Sequence, residues 1–341
     1  MVEIKRIAID TSKSVFTLYA VDAADRPVLR KNLRRRELLA FFEKLQPVEV
    51  VLEACGGSHH WGRSLSALGH RVRLIPAQYV KPFVKRGKND RNDAEAISVA
   101  ASQPSIGSVP VKSIEQQAAA MLLSTRELLV RQRTQLVNAL RGHAAELGFV
   151  AKLGEKGLVQ LRAELVGADE AVVPAAAQQA LALLGREVDR IELQLAGVEA
   201  TLMQQHKANA LSRRLASIPG VGPISALSFA LRVDATQFAS ARHFAAWLGL
   251  VPREKSTAGK QRLGGISRAG NERLRQLLVL GATAVIRHAK PGRPGTSEWL
   301  LNLLSRKPRK LAAVALANKM ARILWAMMTS GEAYRPRQAA A

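Results

Sequence analysis

Short apolar runs alternate with helix-like segments along the first hundred residues. The runs with the length of β-strands are 4–10, 15–21, 48–53 and 71–75. The segments with the three- and four-residue spacing of amphipathic helices are 37–45 and 59–68. Strands that alternate with helices are typical of an α/β domain. We therefore predict such a domain over residues 1–108, with a mixed sheet flanked by helices.

Long helices replace the strands in the next hundred residues. Apolar residues recur every three or four positions over 114–147 and 176–212, and 148–167 is predicted to be a break between them. Two long amphipathic helices of this kind predict an antiparallel hairpin or coiled coil. We assign residues 109–213 to this connector.

A third, mostly helical domain is predicted over 214–332, with a basic, flexible tail at 333–341. Its helical patterns cover 238–249, 270–288, 297–305 and 310–329. Near its start, the turn Pro219-Gly220-Val221-Gly222 resembles the turn of a helix–hairpin–helix motif. Glycines in such a turn let main-chain amides approach a phosphate closely. The sequence therefore predicts that Gly220 and Gly222 contact a DNA backbone, although any tight interhelical turn uses the same residues.

The apolar stretch at 311–328 has the length of a membrane span. Asn318, Lys319 and Arg322 lie at its centre, where polar and charged groups are costly in lipid. We predict a packing helix and no membrane association. Because the first residues lack the apolar stretch of a signal peptide, we expect a cytoplasmic protein.

The charge balance identifies a class of partner. Lysine and arginine number 51 against 27 aspartates and glutamates, which gives a formal charge of +24 and a pI near 11.1. So large an excess destabilises a compact fold by self-repulsion unless a polyanion such as nucleic acid screens it. The single cysteine, Cys55, excludes an intramolecular disulfide and a cysteine-rich zinc site. A nucleic-acid-binding protein is therefore predicted.

Two acidic residues stand where predicted strands end. Asp10 ends the first run and Glu53 ends the third. Ligands of open α/β sheets bind at the carboxyl ends of the strands, so both side chains are expected in one crevice. Acids without a function are also common at strand ends, and neither residue alone decides between the two interpretations.

A second acidic pair opens the helical pattern that follows residue 88. Asp90 and Asp93 lie three residues apart, on one face of that helix. Aspartate is favoured at helix amino ends, which explains one of the two but leaves their mutual repulsion. A divalent cation removes that repulsion, because hard cations prefer carboxylate oxygens and two such ions can clamp a phosphodiester. The four acids therefore predict metal-dependent phosphodiester chemistry.

The acidic residues and several later motifs resemble the DEDD recombinases of the insertion-sequence 110 family, which includes pilin-gene invertases. The resemblance covers nearly the whole chain, and its insertion-sequence 1111 branch is the most similar. It is carried by Asp10 on the first strand and by LEACGGSHHW, GKNDRNDAEAI, SIPGVGP, FAAWLGLVPRE and GGISRAGNERLRQLLVLGA.

This resemblance implies a fold and a chemistry beyond what spacing alone indicates. It implies a RuvC-like, RNase H-type first domain, a coiled-coil connector and a helical transposase domain that bears a nucleophilic serine. Asp10, Glu53, Asp90 and Asp93 would bind Mg²⁺, with Mn²⁺ as the alternative ion. The serine would form a transient 5′-phosphoserine link to donor or target DNA. A structured noncoding bridge RNA would guide a homo-oligomer, a dimer or tetramer, to its DNA sites.

The resemblance assigns the nucleophile to Ser256, which follows the segment Leu250-Val251-Pro252-Arg253. Thr257 is the alternative hydroxyl, and Ser267 is a more distant one. A serine needs activation by a base or metal, and no histidine is adjacent in the sequence, so carboxylate-bound metal from the first domain would have to reach it. The cations expected to hold the scissile phosphate are Arg253, Lys255, Lys260, Arg262 and Arg268.

Three other classes of protein fit parts of the sequence. An actin-like ATPase would explain the first hairpin but not the charge. The sequence also lacks the later glycine-rich, adenosine-binding segment that such an ATPase needs. A junction-resolving nuclease would use the four acids with water and no serine. A non-catalytic nucleic-acid-binding protein would use the helical connector and the glycine turn. His59 and His60 alone are poor evidence for a transition-metal site.

Overall fold

The computed structural model describes residues 3–85, 90–257, 260, 262–292 and 296–335, with the main chain alone at 90 and 91. The chain divides into two compact units, Met1–Gln117 and Ala118–Ala341. Each unit has its own hydrophobic core. A separate connector domain at 109–213 stays a prediction.

The first unit is built on a five-stranded mixed sheet. Its strands are β1 (Arg6–Asp10), β2 (Val15–Val21), β3 (Pro27–Arg34), β4 (Glu49–Ala54) and β5 (Arg71–Pro76). They lie in the order β3-β2-β1-β4-β5. β2 is antiparallel to β1 and β3, whereas β4 is parallel to β1 and β5. The four predicted strands and the mixed sheet are confirmed, and β3 is an additional strand.

β3 has no clear strand pattern in the sequence because it forms an edge of the sheet. Leu33 is its buried residue, and the other positions include Arg30, Lys31 and Arg34. Charged residues on an edge strand oppose pairing with another chain. They also remove the apolar alternation by which a strand is detected.

Helices cover both faces of the sheet. They are α1 (Leu38–Phe42), α2 (Ser58–Ala67), α3 (Ala77–Val80) and α4 (Asp90–Ser102). Successive strand side chains point to opposite faces, so each strand supplies two cores. Ile7 and Ile9 of β1 pack with α1 and α2, whereas Ala8 packs with α3 and α4. The predicted helices at 37–45 and 59–68 correspond to α1 and α2.

Two long helices follow, as predicted, and they run antiparallel. They are α5 (Ile114–Glu146) and α7 (Ala175–Ala208), with α6 (Glu155–Val166) between them. Arg126 of α5 pairs with Glu199 of α7 at 2.6 Å, and Arg133 pairs with Glu192 at 2.5 Å. As the residue number increases along α5, the number of the partner in α7 decreases, so the two helices are antiparallel.

The predicted break at 148–167 is wrong, because most of it forms α6. Leu158, Leu161 and Leu165 of α6 are buried in a cluster that includes Leu140 of α5 and Leu181 of α7. Glycines at both ends of this segment give it the composition of a loop. Burial of one leucine face stabilises the short helix in spite of that composition.

In the described residues of the second unit, the remaining elements are helices and one short hairpin. Its elements are α8 (Ala210–Leu215), α9 (Pro223–Arg232), α10 (Ala241–Trp247), β6 (Pro252–Glu254), β7 (Leu263–Ile266), α11 (Glu272–Arg287), α12 (Glu298–Arg306) and α13 (Arg309–Ser330). The four predicted helical segments correspond to α10, α11, α12 and α13, with ends that differ by one to three residues. The hairpin β6–β7 was not predicted, because its strands are short and largely exposed.

α13 is long and apolar enough to cross a membrane by length and composition, and no other helix within the described residues is. In the structure its Ala317, Met320 and Leu324 are buried in the core of the C-terminal helices. A packing role, as the sequence predicted, accounts for these residues.

Gly270 fixes the chain against α10 at the base of the hairpin. Its φ is +65°, and a Cβ there would lie 1.9 Å from the carbonyl oxygen of Trp247. We expect Gly270→Ala to lower the free energy of unfolding by at least about 2 kcal/mol, because left-handed backbone and steric overlap both oppose the side chain. Urea unfolding would measure the loss, with Gly265→Ala as control, since a Cβ at Gly265 meets nothing within 4 Å. Equal stabilities of the two variants would contradict this account.

Candidate active site

Asp10 is the last residue of β1 and Glu53 the next-to-last residue of β4, and the two lie on the same face of the sheet. Ile9 is opposite Leu52 in the β1–β4 register, so the next residues, Asp10 and Glu53, lie side by side. Alternation along each strand then gives the face. Ala8 and Val51, two residues before the acids, pack in the core that contains α4. Both carboxylates therefore belong to the α4 face, at the carboxyl edge of the sheet. The sequence predicted the edge, and the register adds the face.

α4 brings a third carboxylate to this edge. Asp93 lies in its first turn and is partly buried, and the following Ala94 and Ile97 are buried against the sheet. Asp90 begins the helix, and its side chain lies outside the described residues. The structure therefore brings Asp10, Glu53 and Asp93 to one region of the first unit.

The pKa of Glu53 depends on its burial and on the nearby charge of Asp93. Burial raises the pKa of the Glu53 carboxyl above its ordinary value, and the negative charge of Asp93 raises it further. Both effects disfavour the ionised form. A cation between the two groups would reverse this, since it favours both carboxylates in their charged state.

The carboxylates alone do not form a closed coordination sphere. Within the described residues, no three acidic, histidine or cysteine side chains are close enough together to hold an ion. The donor set still fits a hard divalent cation, because it consists of carboxylate oxygens.

Glu95, in the second turn of α4, ties this helix to the edge strand. Its carboxylate accepts from Arg30 Nη2 at 3.2 Å and from Lys85 Nζ at 2.7 Å, and only 16% of its side chain is exposed. Arg30 in turn lies over the Tyr19 ring at 5.0 Å from its centroid. These contacts fix the helix end that carries Asp93. The sequence offered no signal for them, because the role of Glu95 depends on β3.

His59 has a structural role. Its Nδ1 accepts from the Lys112 amide at 3.2 Å, and its Nε2 lies 3.0 Å from Lys112 Nζ. Burial lowers the pKa of His59 to about 4, and the positive charges of Lys112 and Arg63 contribute. The ring is therefore neutral at physiological pH, and its contacts explain it without a metal.

This lowered pKa predicts acid sensitivity of the fold. Between about pH 6.5 and pH 4 the unfolded chain takes up a proton on His59 and the folded chain does not, so stability falls as pH falls. We expect a loss of roughly 1–2 kcal/mol in this range. Urea unfolding of His59→Gln should show a weaker pH dependence than the wild type, whereas His60→Gln, at an exposed neighbour, should match the wild type. Equal pH dependence in all three proteins would refute the assignment.

Ser256 lies in the loop of the β6–β7 hairpin and is partly exposed. Its hydroxyl accepts from the Arg262 amide at 3.1 Å, and the Lys255 amide donates to the Arg262 carbonyl at 2.9 Å. Thr257 pairs with Lys260 at the hairpin tip. The hydroxyl is thus held in one place within the loop.

The predicted phosphate-binding cations surround this loop. Within the described part of the hairpin, Arg253 donates to the Ser267 carbonyl at 3.2 Å, and Arg268 has a φ of +57°. The exposed or partly exposed residues of the set are Arg253, Lys255, Lys260, Arg262 and Arg268. Their clustering gives the hairpin a positive surface around Ser256, and their roles toward a phosphate stay predictions.

The glycine turn has a packing explanation for one of its two glycines. Gly220 has a φ of +85°, and a Cβ there would lie 2.8 Å from the carbonyl oxygen of Gly281 in α11. Close packing of the turn against α11 therefore requires this glycine. Gly222 precedes α9, and a Cβ there would meet nothing within 4 Å. Contact of either glycine with DNA stays a prediction.

Comparison with known proteins agrees with this arrangement. Residues 7–148 match the DEDD transposase family of the IS110 type, and residues 212–295 match the transposase IS116/IS110/IS902 family. A transposase of Sinorhizobium fredii designated y4pF/y4sB is 52% identical and covers 98% of this chain and 86% of its own length. The transposase for insertion sequence element IS1111A of Coxiella burnetii is 40% identical, covering 98% and 92%.

A family 20 transposase of Pseudomonas aeruginosa is 45% identical over 98% of this chain and 99% of its own length. An acidic strand edge and matches of this extent define a DNA transposase. The chain belongs to the IS110 family of transposases.

Proposed function

We propose that this protein is a site-specific recombinase of an insertion sequence, which cuts and rejoins donor and target DNA. The observation that carries the proposal is the position of Asp10 and Glu53 side by side at the carboxyl edge of the sheet, with Asp93 near enough for its charge to contribute to the raised pKa of Glu53. A mixed sheet covered by helices on both faces supports the RuvC-like classification of the first unit, and the antiparallel α5 and α7 support the coiled-coil connector.

Asp10, Glu53, Asp90 and Asp93 would hold Mg²⁺, with Mn²⁺ as the alternative. Bound there, the ion would supply positive charge to the scissile phosphodiester. The chain supplies the carboxylates, and Glu95 holds α4 so that Asp93 keeps its place beside Glu53. Burial raises the pKa of Glu53 and the charge of Asp93 raises it further, and the second effect supports this role because it places the two carboxylates near each other.

Ser256 is the proposed nucleophile of the strand exchange. Its Oγ forms a bond to the scissile phosphorus as the bond from phosphorus to the 3′ oxygen breaks. The hydroxyl proton passes to solvent, and the departing 3′ oxygen takes up a proton. The DNA stays linked to the serine through its 5′ phosphate until the 3′ hydroxyl of another strand attacks that phosphorus and releases the serine. One phosphodiester is broken and one is formed, so the exchange needs no co-reactant.

The charge of the chain supports nucleic-acid partners beyond the two DNA segments. A formal charge of +24 is spread over both units, which suits a protein that binds phosphate backbones more than base edges. We propose that a structured noncoding RNA selects the DNA sites and that the protein acts in the cytoplasm as a dimer or tetramer.

A junction-resolving nuclease is the second candidate, and one observation favours it. The Ser256 hydroxyl accepts a main-chain hydrogen bond within its own hairpin, which is a structural role for a serine. In that function the carboxylates would act with water, and no covalent link to the serine would form.

One assay separates these functions. Purified protein is incubated in Mg²⁺ with donor and target plasmids, with or without RNA transcribed from the flanks of the insertion sequence. Recombined junctions are amplified, and protein–DNA adducts are detected after denaturation. We expect junctions and adducts only with the RNA. Junctions without the RNA would refute RNA guidance, and cutting without junctions or adducts would favour the nuclease.

A further inference from the structure

A basic cavity lies beside the acidic edge of the first unit. It has a volume of about 300 Å³ and is lined by Thr11, Ser12, Lys13, Arg35, Gly56 and Trp61. Thr11 directly follows Asp10, and Gly56 is three residues beyond Glu53. The cavity is therefore adjacent, along the same strand ends, to the carboxylates.

Arg35 is fixed in this cavity by its side chain and by its main chain. Its guanidinium lies 5.0 Å from the Trp61 ring centroid and 5.7 Å from that of Phe16. Its amide donates to the Ser14 carbonyl at 2.8 Å. A guanidinium held against aromatic rings keeps its N–H donors directed outward with little loss of conformational entropy on binding.

The two cations of the cavity differ from the other cations of this unit in their ion pairing. In the part of the chain that the structure describes, no acidic side chain forms an ion pair with Lys13 or Arg35. Other cations of this unit, such as Lys5, Arg30 and Lys85, have acidic partners. Unpaired positive charge around a cavity favours an anion.

The cavity and the carboxylates lie on different faces of the sheet. Trp61 and Phe16 belong to the core under α2, whereas Asp10 and Glu53 lie on the α4 face. The cavity and the acids are thus on opposite sides of one sheet edge. A DNA strand that crosses this edge of the sheet would present one phosphate to the carboxylates and a neighbouring phosphate to the cavity.

We propose that the cavity of Lys13 and Arg35 binds the phosphodiester next to the one at the carboxylates, and so positions the DNA strand for cleavage. This inference rests on the proposed function, because it takes the carboxylates as the site of phosphodiester chemistry. Arg35 supplies a planar, bidentate donor pair and Lys13 a second positive charge.

Binding of a fluorescein-labelled, mixed-sequence 12-nucleotide single strand, followed by anisotropy, tests the proposal. The titrations use the full-length protein in Ca²⁺, as DNA and as RNA of the same sequence. We expect Arg35→Gln to weaken DNA binding about tenfold. The slope of log affinity against log salt should fall by about 0.7 for the one lost phosphate contact. Arg35→Lys should recover part of the affinity, since it keeps the charge.

Lys13→Gln and Lys44→Gln complete the experiment. Lys13 is exposed in a turn, so its variant retains the core and should also weaken binding. Lys44 is exposed before the amino end of β4, away from Glu53, and its variant should stay within twofold of the wild type. Equal losses from Lys44→Gln and Arg35→Gln would overturn the proposal, because they would reflect surface charge alone. Loss confined to the RNA probe would assign the cavity to RNA and overturn its role in positioning DNA.

The same variants distinguish a failure of this inference from a failure of the proposed function. If the wild type binds DNA through Arg35 and exchanges no strands under any condition, the recombinase proposal fails and the phosphate site stands. If the wild type recombines and Arg35→Gln binds and recombines equally well at limiting DNA, the phosphate site fails and the recombinase stands.

Discussion

Asp93→Asn is expected to abolish strand exchange and, at the same time, to stabilise the metal-free protein. Loss of one carboxylate from the proposed metal set should lower the exchange rate by about 10³-fold, which corresponds to ~4 kcal/mol. In the absence of metal the same change removes a negative charge beside Glu53. A loss of activity with a gain of stability is typical of a functional residue and is not expected of a structural one.

The stability gain has a defined pH dependence. The folded-state pKa of Glu53 is raised by burial and by Asp93, so ionised Glu53 opposes folding at neutral pH. Asp93→Asn removes the second cause and should therefore raise the free energy of unfolding at pH 7 in EDTA. The gain should vanish as pH falls below the ordinary glutamate range, where Glu53 is protonated in both the folded and the unfolded chain.

Asp169→Asn is the matched control for this experiment. Asp169 lies in an exposed loop of the second unit, where its carboxylate accepts from the Ala171 amide at 3.0 Å, a contact that asparagine retains. It should change neither exchange nor the pH dependence of unfolding. Strand exchange by Asp93→Asn within tenfold of the wild type would remove Asp93 from the metal set.

Ser256→Ala should eliminate covalent protein–DNA adducts and reduce strand exchange by at least about 10³-fold. The hydroxyl also accepts from the Arg262 amide, so some destabilisation is expected, of about 1 kcal/mol. Measurement of adducts, recombined junctions and urea unfolding on one preparation separates loss of chemistry from loss of the hairpin.

Ser267→Ala and Thr257→Ala are the controls for the nucleophile. The Ser267 hydroxyl accepts a longer bond, from the Ala269 amide at 3.4 Å, at the base of the same hairpin. Both variants should keep adducts and exchange. Adducts formed by Ser256→Ala and lost in Thr257→Ala would transfer the nucleophile to Thr257, and cutting without adducts in the wild type would favour metal-activated water.

The acidic edge could be predicted from the sequence because strand geometry is local. A carboxylate that ends an apolar run must lie at a strand end, and parallel strands bring such ends together. Asp10 and Glu53 therefore needed only the correct strands. The face they share followed from the register, which no single strand encodes.

The features that escaped prediction depend on contacts distant in sequence. Arg35 belongs to the basic cavity because it stacks on Trp61, and Glu95 fixes α4 because the edge strand β3 carries Arg30. The helix α6 and the β6–β7 hairpin have loop-like composition and gain their structure from packing or pairing with neighbours. The pattern of neighbouring residues in the sequence does not identify these distant partners.

The ion pairs between α5 and α7 restrict the lengths that this helix pair can have. Arg126 and Arg133 are seven residues apart, two helical turns, so their pairs repeat on one face. The 33 residues of α5 span roughly 50 Å at ~1.5 Å per residue, the length of about 15 base pairs of DNA at ~3.4 Å each. Lengthening both helices by seven residues would keep the facing surfaces in phase and extend the helix pair by about 10 Å. A change of two residues would rotate one surface away from the other, so the length of this helix pair is confined to discrete steps.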